Sequence, residues 1–254
     1  MKRIAIILAT IMIGVLVGTT QTNQSNENKE RNIGDAVQVS TSPISSKVVV
    51  LDAGHGKPDE GAQSKNGITE ADINLKITFK LKKLLEEVGC KVILTRSDEN
   101  AIYDLNSKTL KEKKISDMRN RAKIGNNSSA DIFVSIHLNM IEQSKYYGWQ
   151  TFYKEGKEES ERLAKSIQNG LNNSMQKENK RVAMKLDNKY LIKNIQIPIS
   201  IVECGFLSNP QEEKELQDDV YQENLALGIY NGIIDYFKEW NLLLELYKKS
   251  SKVR

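Results

Sequence analysis

The chain reads as an α/β protein, a single domain on a twisted, mostly parallel sheet with helices on both faces. Three observations predict it. Residues 47–53, 90–95, 131–136 and 198–202 are short β-branched and apolar runs without polar alternation, the pattern of strands buried on both sides. Between them lie longer stretches whose apolar residues recur at helical spacing. At 254 residues the chain suits one sizeable domain, and strands alternating with helices favour parallel pairing through right-handed crossovers.

Taken in order, residues 47–53 (KVVVLDA) form the first strand, broken by Gly54-His55-Gly56. A helix starts at Thr69, carries Ile73, Ile77, Leu81, Leu84 and Val88 on one stripe, and stops at Gly89. Thr69 and Asp72 read as its capping box. Residues 90–95 are the second strand and 97–114 a polar surface excursion. A helix over 116–127 leads to the third strand, 131–136. Residues 149–153 alternate weakly as a fourth strand. Leu163, Ile167, Leu171 and Met175 then mark a helix. Residues 190–192 read as a short strand, 198–202 as a buried one, and Ala226, Ile229, Ile233, Phe237 and Trp240 as one face of a final long helix. Beyond Trp240, residues 241–254 read as an extension of that helix. The other reading is a stripe of leucines for a partner or a membrane surface.

Composition narrows the function classes. Two cysteines exclude a disulfide-dense scaffold, and fifteen Gly with four Pro exclude collagen-like or proline-rich chains. A formal charge of +4, without a basic block interleaved with aromatics, argues against a nucleic-acid partner. Met1-Lys2-Arg3 followed by an uncharged apolar run over 4–18 is too short to span a bilayer comfortably and has the form of an export signal. Residues 1–18 are therefore expected to be a signal peptide or an N-terminal anchor, with any membrane contact confined to them. Residues 19–46, rich in Gln, Asn, Ser and Thr, read as a flexible polar linker. The folded catalytic part is expected over 47–240.

The only two histidines each follow a strand: His55 in D-A-G-H-G and His137 in V-S-I-H-L-N. Ligands and catalysts in open α/β sheets gather at the carboxyl ends of strands, so the two are candidates to meet. An arbitrary pair of loop histidines is more often merely hydrogen-bonded, but the flanking glycines free His55 to face a ligand. An open catalytic metal site needs a third donor, commonly a carboxylate. Glu70, at the head of the first helix, is a candidate. Composition alone favours reading it as a partner of the helix dipole. Glu203, after the apolar run 198–202, either caps a loop or faces the site as a base. A thiol nucleophile at Cys204 is disfavoured, because neighbours in a strand point to opposite faces. Cys90 and Cys204 are expected to be buried free thiols. Arg96, Arg119 and Arg121 could meet an acidic substrate; structural pairing with Asp98, Glu99 or Asp117 is the preferred reading. There is no H-E-x-x-H, Walker A loop, G-x-S-x-G or helix-opening G-x-G-x-x-G.

The assembled motifs resemble the zinc-dependent N-acetylmuramoyl-L-alanine amidases. They are V-V-L-D-A-G-H-G, Glu70, L-T-R at 94–96, D-M-R-N-R at 117–121, A-D-I-F-V-S-I-H-L-N at 130–139 and I-V-E-C-G-F-L-S-N at 201–209. The likeness runs from Lys47 to Phe237. Within it, G-W-Q-T-F-Y and I-V-E-C-G-F-L-S-N are most similar to the germination-specific, CwlD-type branch that processes spore cortex. The resemblance implies that His55, Glu70 and His137 hold Zn²⁺ and that Glu203 is catalytic. It implies cleavage of the amide between the muramic acid lactyl group and L-Ala of peptidoglycan, outside the cytoplasm. Many relatives carry a helical plug after the second histidine; the eight residues 140–147 are too few for one. If activity is restrained, the restraint must then come from timing of expression or from an accessory activating or lipoprotein partner.

Overall fold

The computed structural model describes residues 44–251; the expected export segment and residues 19–43 of the expected linker lie outside the described residues. Six strands form one sheet: β1 (Val48–Ala53), β2 (Lys91–Leu94), β3 (Ile132–Asn139), β4 (Gln150–Lys154), β5 (Met184–Leu186) and β6 (Ile199–Phe206). Their order is β2-β1-β3-β6-β4-β5. Strand β1 pairs in parallel with β2 and β3, and β3 in parallel with β6. Strand β4 returns antiparallel to β6 and carries β5 in parallel at the edge. The expected α/β architecture is therefore present, with one antiparallel pair.

The helices are α1 (Glu70–Glu87), α2 (Leu110–Asn127), α3 (Glu158–Ser174), α4 (Tyr190–Asn194), α5 (Pro210–Gln217) and α6 (Asp219–Ser251). Alternate strand residues divide them between two cores. Val49, Leu51, Val134 and Val202 pack on one side against Ile77 and Leu81 of α1, Leu163 and Ile167 of α3, and Ile229 and Ile233 of α6. Val50, Phe133, Ile199 and Ile201 pack on the other against Ala122 of α2 and Leu191 and Ile192 of α4. Ile44, within the stretch read as linker, is fully buried in the first core.

Three local readings need correction, and two elements were not anticipated. Residues 190–192 are helical: Leu191, Ile192 and Ile195 are buried together at a spacing a strand would split between faces. The strand of this region is β5, whose exposed Met184 and Lys185 give no apolar signal. Helix α2 begins at Leu110, inside the expected excursion, because Thr109 and Glu112 form a full capping box. Thr69 makes no side-chain cap bond to α1, so the box read at Thr69 and Asp72 does not form. Helix α5, not anticipated, starts at Asn209-Pro210, where Asn209 accepts bonds from the Gln211 and Glu212 amides. Helix α6 continues through the extension to Ser251, with Leu242, Leu243 and Leu246 exposed. No described helix is long and apolar enough to cross a membrane.

Candidate metal centre and active site

The carboxyl ends of β1, β3 and β6 and the head of α1 converge on one cleft of about 350 Å³. His55 leaves β1 with φ +62°, a conformation costly for a side chain bearing a Cβ. Two buried arginines over-determine it. Arg121 of α2 donates to the Ala53 and His55 carbonyls at 2.7 and 2.6 Å while pairing with Asp52 and Asp117 at 2.6 and 2.8 Å. Arg96 donates to the Ala53, Gly54 and Ala71 carbonyls at 2.9, 3.0 and 2.7 Å and to the Asp98 carbonyl at 2.7 Å. Burial would raise the Asp52 carboxyl, but the Arg121 charge and the Ser135 and Thr95 hydroxyls hold it below its usual value. Arg96 and Arg121 are thus structural, though Arg96 grips backbone rather than the carboxylates of Asp98 or Glu99. Arg119 is exposed.

Glu70 is buried and accepts from the Ala62 amide at 2.9 Å and the Leu138 amide at 3.0 Å. Its oxygens also lie 3.3 Å from His55 Nε2 and 2.9 Å from His137 Nδ1. Burial alone would raise this carboxyl; the two imidazoles outweigh it and hold Glu70 far below the carboxylate range. Beyond its first-turn place at the helix dipole, Glu70 is therefore engaged by these contacts. Asn74, one turn on, ties Glu70 to the Gly54 carbonyl.

His137 stands near the end of β3, its ring 5.1 Å from that of His55 and edge-on to it. This approach requires Gly54, because a Cβ there would lie 2.4 Å from the His137 ring. Donor atoms of His55, Glu70 and His137 all fall within 4.8 Å of one another, the one such cluster among the described residues. Two imidazoles, one carboxylate and an open side toward the cleft suit a divalent ion of the zinc type. Asp59 Oδ2 lies 3.5 Å from His55 Nδ1, the remaining ring nitrogen. Burial opposes protonation of His55, yet Asp59 and Glu70 raise its pKa to about 9.

Glu203 pairs in register with His137 across the parallel β3–β6 ladder, so the two side chains share a face. It does not end its strand; β6 runs on to Phe206 after a register shift beyond His137, an irregularity of the kind that re-aims side chains beside active sites. Glu203 Oε2 is covered and has no hydrogen-bond partner. Burial, reinforced by Glu70, raises its pKa despite opposing contributions from His137, Lys189 and His55. Cys204 points the other way, fully buried in the first core, where burial pushes its thiol far up. Cys90 is buried and raised to about 11, and both thiols are free. Asp131 pairs with Lys47 at the opposite end of the sheet.

Residues 49–235 match the model of the family described as N-acetylmuramoyl-L-alanine amidase (Amidase_3). The chain belongs to this family. The amidase is 38% identical over 197 residues to the germination-specific N-acetylmuramoyl-L-alanine amidase of Bacillus subtilis (strain 168), covering 78% of this chain and 82% of that one. Among solved structures it is similar to the CwlD amidase from Clostridioides difficile in complex with the GerS lipoprotein. That match has 48% identity and a TM-score of 0.74, over 76% of this chain and 98% of that one. An N-acetylmuramoyl-L-alanine amidase from Clostridium difficile 630 matches at 31% identity and TM-score 0.67, with the same coverage.

The cleft also holds residues that the sequence reading passed over: Asp59, Lys114, Lys189, Tyr190 and Met140. Asp59 carried a signal, a carboxylate four residues after a candidate ligand. Lys189 carried none, since it reaches the cleft only because the chain between α3 and β6 folds back over the sheet. Residues 140–147 contain no helix, so no helical plug arises there.

Proposed function

We propose that the amidase hydrolyses the amide between the lactyl group of N-acetylmuramic acid and L-Ala in peptidoglycan, with Zn²⁺ held by His55, Glu70 and His137. The observation that carries this reading is the cluster of three donors beside Glu203, whose Oε2 is covered and has no hydrogen-bond partner. A zinc ion bound there would supply Lewis acidity and lower the pKa of water toward about 7. Glu203 takes the proton from the attacking water and passes it to the departing L-Ala nitrogen. Burial suits it to both tasks, since a carboxyl with a raised pKa takes up a proton more readily and can return it. Asp59 on the far side of His55 and Asn74 behind Glu70 hold two of the donors in orientation.

The similarity to the Bacillus subtilis germination-specific amidase supports spore cortex as the peptidoglycan acted on, during sporulation or germination. On this reading the enzyme acts outside the cytoplasm, with residues 1–18 as export signal or anchor, 19–46 as a tether whose end enters the core at Ile44, 47–240 as catalytic domain and 241–254 as extension. The lipoprotein bound to the Clostridioides difficile relative supports an accessory partner here. Metal analysis of the purified chain, with mass spectrometry of products released from purified peptidoglycan, tests the proposal. A chelator and His137→Ala should each remove both zinc and cleavage at the lactyl–alanine bond. Cleavage that survives either one refutes it.

A further inference from the structure

The proton path sets which way the substrate lies. If Glu203 returns its proton to the L-Ala nitrogen, that nitrogen comes within about 2.6–3.2 Å of it, and the peptide stem leaves the cleft on Glu203's side. That side is walled by β6 and by the start of α4, where Lys189 and Tyr190 line the cleft. The opposite lip carries Lys114 and Asp59, which neutralise each other at 2.9 Å. Asp117 is likewise tied to Arg121. Lys189 differs from Lys114. It is exposed, it lines the cleft, and no ion pair or hydrogen bond holds its ammonium among the described residues. Its charge reaches Glu203, on which it acts against burial. A cation left free at the peptide end of a cleft is placed to meet an anion that arrives with the substrate.

We propose that Lys189 is a specificity-determining residue that binds a carboxylate of the peptide stem, on the residue following L-Ala. The proposal rests on Glu203 as the proton carrier, because that role orients the stem. A bound carboxylate would hold the scissile amide in register with Glu203, so the contact acts through substrate binding rather than through the chemical step.

The test uses the zinc-loaded full chain and two soluble muropeptides that differ only in whether the residue after L-Ala carries a free α-carboxylate or its carboxamide. The wild type should prefer the carboxylate on the order of tenfold in kcat/KM, carried by KM, as a charge-assisted contact at a partly exposed site allows. Lys189→Gln should bring the two substrates within about twofold, Lys189→Arg should retain the preference, and Lys189→Glu should reverse it. A wild type without preference, or a preference that survives in Lys189→Gln, overturns the proposal. So does a Lys189→Gln loss equal for both substrates with a shifted kcat–pH profile, since Lys189 would then act on Glu203 alone. Failure of the wild type to cleave either muropeptide would overturn the underlying amidase mechanism, a result distinct from the others.

Discussion

Gly54→Ala separates metal binding from folding. The added Cβ would lie 2.4 Å from His137 Cε1 and 2.5 Å from Nε2, whereas ordinary contact begins at 3.4 Å. The imidazole must therefore retreat by about 1 Å, five times the ~0.2 Å within which metal–ligand distances are held. The ring can do so, because it borders the cleft and its side chain is 18% exposed. The fold should survive while zinc affinity falls by about 100-fold, the upper end of what disturbing the support of a metal ligand costs. At saturating zinc that forfeits about 2.7 kcal/mol of metal-linked stability, or roughly 5–10 °C in Tm for a domain of this size. Competition titration with a chromophoric chelator gives the affinity, and thermal denaturation with and without zinc gives the linkage. Wild-type affinity in Gly54→Ala, with an unchanged zinc-dependent rise in Tm, would refute the assignment of His137 as a ligand.

Glu203→Gln should lower turnover by about 10²–10⁴-fold with zinc content unchanged, and should raise stability at neutral pH in urea unfolding. It removes a carboxylate charge that burial disfavours. Arg121→Leu leaves Asp52 and Asp117 buried without their cation and should cost about 3–5 kcal/mol in the same assay. In the wild type, Asp52 has a folded pKa below its ordinary 3.8. Its contribution is complete above that value and is lost as pH falls toward the folded pKa, so stability should drop on acidification below about pH 4. In Arg121→Leu burial is opposed only by the Ser135 and Thr95 hydroxyls and by His137, and the part of that acid loss due to Asp52 should shrink. Cys204→Ala should unfold more easily by about 1–2 kcal/mol yet keep its activity per folded molecule, and thiol alkylation of the native enzyme should leave cleavage intact. Activity lost with the thiol would instead indicate a cysteine hydrolase.

Much of the fold was legible because burial on two faces imprints itself on consecutive residues. Residues 47–53 and 131–136 each contain most of a central strand, 198–202 contain the first half of another, and the stripe from Ile73 to Leu81 lies on the buried face of α1. Short elements escaped. β5 is an exposed edge strand, and α4 is a single short helix whose consecutive run over 190–192 gives no helical period until Ile195 joins the same buried cluster. The start of α2 was written locally, in the Thr109 and Glu112 cap, and passed unread within a polar stretch.

For the site, local pattern alone determined that two histidines end strands of one sheet and that Glu70 heads the intervening helix. The family motifs then singled out Glu203. Tertiary structure decided the rest, through contacts between residues remote in the chain. The β3–β6 register sets Glu203 beside His137 and turns Cys204 into the core; a shift of one residue would exchange them. Arg121, 66 residues from His55, holds that loop in its strained turn. The antiparallel return of β4 and the fold-back that carries Lys189 to the cleft depend likewise on pairing partners. Periodicity records whether a residue is buried, whereas partner, register and facing direction are properties of the assembled sheet.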